Sequence, residues 1–155
     1  MRRPLATAVP AALMAVLLVV GTTLAGHGHA TGGGEFDFGV TQRLEFEAHD
    51  YGPASPRDRG TAHYQNLDSG IEYQAEIVCA FVTTNVVRFG YVIPQDEPGI
   101  GGLQIIWEIT DGGSPGAGND SAYFVVAPAE SCDQDTVPFA GSNVLNGNFT
   151  VHEAN

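Results

Sequence analysis

Lysine is absent from the 155-residue chain, which sets six arginines against 18 aspartates and glutamates. The formal net charge of −12 at pH 7 repels phosphate backbones and anionic bilayers. Nucleic acid and membrane surfaces are therefore not expected partners. A cationic partner or divalent metal ions would be favoured; the plainer reading of the charge is solubility. Cysteine occurs twice, with no CxxC, which excludes a disulfide-dense miniprotein and gives no sign of a redox or metal-binding thiol pair. No segment carries a 3.6-residue apolar stripe, so a coiled coil is excluded, and the glycines lack the collagen period. A hydrophobic content of 43% is too high for a disordered acidic tail.

A long apolar run is also missing. The stretch from Ala11 to Ala25 is short for a hydrocarbon core of ~30 Å. With Arg2 and Arg3 before it and Gly28-His29-Ala30 after it as a small-x-small site, it reads as a secretory signal peptide, residues 1–30. No cysteine follows to take a lipid anchor. The expected mature unit is a single domain, 31–155, secreted, with no membrane attachment after cleavage and Thr31-Gly32-Gly33-Gly34 as its lead-in. Export favours oxidation of Cys79 and Cys132 to a structural disulfide.

What is present is alternation. In Ile71–Phe81 the odd positions form one apolar face, and Val87, Phe89, Tyr91 and Ile93 repeat the pattern, as do Leu103, Ile105, Trp107 and Ile109. Glycine, proline, asparagine and aspartate clusters separate these runs. The pattern predicts seven to eight strands, at 35–39, 43–50, 60–66, 71–82, 86–93, 103–110, 121–127 and 148–152. The expected fold is all-β, an antiparallel meander that buries its apolar face by closing into a small barrel, with a β-sandwich as the alternative.

Several constellations invite a chemical reading. Gly112-Gly113-Ser114-Pro115-Gly116 matches G-x-S-x-G, but no helix pattern follows and Pro115 lacks the N–H that an oxyanion hole needs. It reads as a hairpin loop. Asp111, Asn119 and Asp120 are a weak calcium candidate; the alternative is Asx-turns on the loop's own backbone. After removal of residues 1–30 the histidines are His49, His63 and His152, with no His-x-His, so no metal site is expected. A symmetric hairpin would set Glu47 opposite His63, as a surface pair rather than an acid–base dyad. Tyr73, Phe89, Tyr91 and Trp107 share the inward faces; they are core residues or, in a hollow barrel, the lining of an apolar ligand cavity.

The order Gly32-Gly33-Gly34-Glu35-Phe36, Phe46-Glu47-Ala48-His49, Glu76-Ile77-Val78-Cys79, Thr84-Asn85, Asp111-Gly112-Gly113-Ser114-Pro115-Gly116, Cys132 and Gly147-Asn148-Phe149-Thr150-Val151-His152 resembles small exported β domains of actinobacteria. Its D-x-G-x-P-G loop and Gly-Asn-Phe-x-Val-His end are similar to the post-COAP type of domain. The resemblance covers most of 31–155 and implies a secreted β domain with the disulfide. It carries no catalytic residues. The expected function is non-enzymatic, without a cofactor: a binding or structural role at the cell exterior toward an extracellular partner. The alternatives are a lipocalin-like carrier of a small apolar ligand and a cyclase- or isomerase-like barrel.

Overall fold

The computed structural model describes residues 27–52, 55–113, 120–133 and 140–153, with only the backbone described for 140–143. Eight strands follow in chain order: β1 (Gly28–Asp37), β2 (Thr41–Asp50), β3 (Arg59–Asn66), β4 (Glu72–Val82), β5 (Val86–Val92), β6 (Gln104–Thr110), β7 (Ser121–Val126) and β8 (Ala140–His152). Each pairs antiparallel with the next, and β1 pairs with β8, so the sheet closes into a barrel. The barrel is thus the form taken, and not the sandwich. Closure satisfies both edges of the sheet.

Alternation fills the interior. Phe36, Leu44, Val87, Phe89, Tyr91 and Ile109 are wholly buried, and Phe46 stacks on both Phe89 and Phe149. Such aromatic pairs add about 0.5–1.5 kcal/mol each beyond their buried area.

The strands depart from the expected pattern in several places, one being β8, which begins at Ala140 and not at 148. The stretch expected as a lead-in is strand: β1 starts at Gly28, Gly32 pairs with Phe46 and Phe149, and Ala30 is fully buried. Alternation is masked there because the glycines carry no side chain. Gly32 is required, since a Cβ there would lie 2.5 Å from the Asn148 carbonyl oxygen and 2.7 Å from the Phe149 Cα. The expected cleavage point after Ala30 therefore falls inside β1, while residues 1–26 lie outside the described residues.

The eleven-residue face in β4 is also not continuous. Tyr73, Ala75 and Ile77 point inward, but the register shifts between Ile77 and Cys79. This bulge inverts the phase, so Ala80 and Val82 enter the core while Cys79 and Phe81 turn outward. Cys79 is thereby aimed at Cys132, to which it is disulfide-bonded. A single 3-10 turn, Ala129–Ser131, lies over this patch. It presses so closely on β5 that a Cβ on Gly90 would stand 2.0 Å from the Ala129 carbonyl oxygen.

Carboxylates tie down one end of the barrel. Asp50 accepts from the Val82 N–H at 2.8 Å, and Asp58 accepts from Tyr51 at 2.9 Å and Ala80 at 3.2 Å. Burial pushes the Asp58 carboxyl upward, against the two N–H groups it accepts from.

Candidate functional site

Inside the barrel, the phenol of Tyr91 accepts from Trp107 Nε1 at 2.9 Å and lies 3.2 Å from the Tyr73 hydroxyl. Burial raises both phenols, that of Tyr91 to about 12, so neither serves as a base at neutral pH. The residues considered as a cavity lining, Tyr73, Phe89, Tyr91 and Trp107, are all buried, and three of them spend their polar atoms on one another. Among the described residues, two hollows on the outside of the sheet are lined by other side chains.

The larger hollow, about 610 Å³, lies on the outer face of β1–β4. Gly32, Gly33 and Gly34 leave its floor bare, and Glu45, Glu47, Thr61 and His63 line its sides. Period-two geometry sets these side chains in rows across the strands. One row runs Gly33, Glu45, His63, Gln74, and the next runs Thr31, Glu47, Thr61, Glu76. Arg43 is engaged by Glu35, whose hydrogen bond raises its already high pKa.

The Glu47–His63 pairing expected from a symmetric hairpin does not form. Glu47 lies opposite Thr61 and Glu45 opposite His63. The shift is two residues, which preserves the faces; in the β2–β3 connection Asp58 accepts from the Tyr51 N–H and Asp50 from the Gly52 N–H. His63 Nε2 instead meets Glu72 at 2.9 Å, and this bond is the main cause of the lowered Glu72 pKa.

At the end of this face stands a histidine cluster that the sequence reading left out. His29 on β1 pairs with His49 on β2 and with His152 on β8. The His29 and His49 rings stack at 4.7 Å, and His27 lies parallel to His49 at 5.0 Å. Glu47 reaches up from the adjacent row, with Oε1 at 2.9 Å from His49 Nε2 and 3.7 Å from His29 Nε2. The second nitrogen of His49, Nδ1, is 3.0 Å from His27 Nε2. The nitrogen of His29 that faces Glu47 is shielded from solvent and has no hydrogen-bond partner. Burial, followed by the neighbouring His49, lowers the His29 pKa and favours neutral imidazole, the form that ligates metal; Glu47 opposes the shift. His29, Glu47 and His49 each present a ligand atom within 4.8 Å of the others.

His27 and His29 fall within residues 1–30, so the expected mature unit of 31–155 does not contain them. The signal was His27-Gly28-His29, a His-x-His that places two rings on one strand face.

The other sequence candidates have structural employment or lie outside the described residues. Asp120, only 1% exposed, accepts from Gly112 and Phe149, and Asp111 accepts from Gly113 and Val151. Asn119 and Ser114 lie outside the described residues. No family model, curated protein or solved structure matches the chain. Among the described residues no helix is long and apolar enough to cross a membrane.

Proposed function

We propose that this chain is an exported, non-enzymatic β-barrel that acts at the cell exterior by binding a cationic partner on the outer face of β1–β4. The supporting observation is the 610 Å³ hollow with its bare glycine floor and carboxylate walls. Glu45, Glu47 and Glu76 crowd this face, while Arg43 is held by Glu35. A field of one sign in a concavity attracts and orients charge of the other sign. The bonded pair Cys79–Cys132 is compatible with an extracellular protein.

Isothermal titration with a lysine-rich peptide tests this reading. Binding that weakens in Glu45→Gln and Glu76→Gln and falls with added salt is the expected outcome. Equal affinity for an acidic peptide would refute it. An apolar small molecule found by native mass spectrometry inside the barrel would favour the carrier reading instead.

A further inference from the structure

The geometry points to a metal site: His29, Glu47 and His49 bind a single divalent transition ion of the zinc or copper class across the β1–β2 pair. The cluster shares Glu47 with the proposed binding face but does not need the cationic partner.

Ligand type comes first. Two imidazoles and one carboxylate form a donor set suited to zinc or copper, whereas calcium prefers oxygen alone. Spacing comes second. Around a tetrahedral zinc with bonds near 2.0–2.1 Å, donor atoms stand about 3.3 Å apart. The distances from Glu47 Oε1 to His49 Nε2 and His29 Nε2, 2.9 and 3.7 Å, bracket that value. Neighbouring strands supply the ligands in register, so the barrel itself holds the donors close.

The unpartnered nitrogen decides the matter. His29 Nε2 is shielded from solvent and makes no hydrogen bond, and it faces Glu47 Oε1 across 3.7 Å. A cation between it and Glu47 would satisfy both. His49 Nε2 meets Glu47 Oε1 at 2.9 Å and Nδ1 lies 3.0 Å from His27 Nε2; a metal taking the place of the Nε2 proton would leave Nδ1–H to donate to His27. That outer hydrogen bond is the kind that orients metal-ligating histidines. His152 flanks the cluster from β8, its ring centroid 6.4 Å from that of His29.

The test uses untagged protein, exported, stripped with chelator and titrated with zinc chloride, with intact mass fixing the N-terminus. The expected result is a chain that retains His27, binds a single zinc ion and melts at a higher temperature with zinc. His29→Ala and His49→Ala should each weaken zinc binding by at least about tenfold. His63→Ala, on the same outer face, should leave it unchanged. Circular dichroism of the variants keeps misfolding distinct from ligand loss. The site is refuted by a processed chain that begins at Thr31, by absent zinc binding, by zinc affinity that survives the His29→Ala/His49→Ala double variant, or by calcium bound as tightly as zinc. Failure with zinc while the lysine-rich peptide still binds removes the metal site alone, and the converse removes the cationic partner alone.

Discussion

Tyr91 shows how a polar atom can be kept deep in an apolar barrel. Its hydroxyl accepts from Trp107 and shares a bond with Tyr73, so burial leaves no phenol unpaired. Tyr91→Phe removes the acceptor and strands the indole N–H, at a cost of about 1–3 kcal/mol measured by urea denaturation. Burial also raises the pKa values of Tyr64, Tyr73 and Tyr91. The Tyr91 pKa in the fold, about 12, exceeds the ordinary value of 10.0, so the unfolded chain loses its proton first. Stability from this group is therefore complete below the ordinary value and is lost as pH climbs through the raised one. Ultraviolet phenolate absorbance should show these rings ionising together with unfolding. Asp120 is a parallel case: Asp120→Asn retains one acceptor but sets an amide N–H against a backbone N–H. A loss of about 1–3 kcal/mol is expected on thermal melting.

Among the elements, β1 and β4 carry the most information. β1 begins at Gly28 and pairs on both sides, with Asp50 through Ala48 on one flank and His152 and Val151 on the other. A cut after Ala30 would strip these pairs from the seam where the barrel closes. Intact-mass analysis of the exported protein should place the N-terminus ahead of Gly28. A peptide bond cleaved at Ala30–Thr31 would contradict this extent of β1. In β4 the bulge decides which apolar residues serve the core and which serve the outer patch. Gly90 beneath that patch has no room for a methyl group. Gly90→Ala should lift the Ala129–Ser131 turn and cost about 1–3 kcal/mol by overpacking, read from the melting temperature.

For the whole molecule, the disulfide spans 53 residues and ties an external turn to β4. Chain-entropy reasoning assigns such a loop about 4 kcal/mol. The Cys79→Ser/Cys132→Ser variant should unfold at lower urea by up to that amount while keeping its all-β circular dichroism, because the main core cluster does not include the bridge.

Most of the strands were legible because alternation is a local property: in Val87, Phe89 and Tyr91 each inward side chain is visible two residues from the next. The all-β class follows on the same grounds, and the pairing of Cys79 with Cys132 follows from there being two cysteines in a chain expected to be exported. Three things were not legible in this way. The glycines of β1 have no side chain with which to signal a strand. The β4 phase inversion depends on one extra residue opposite β5. The grouping of His29, His49 and Glu47 depends on the β1–β2 register, and His152 reaches it only because β8 closes on β1 from the other end of the chain. The amino-acid sequence by itself determined which residues turn toward a common interior. Only the tertiary structure decided which outward residues become neighbours, because strand register and barrel closure are set by long-range packing.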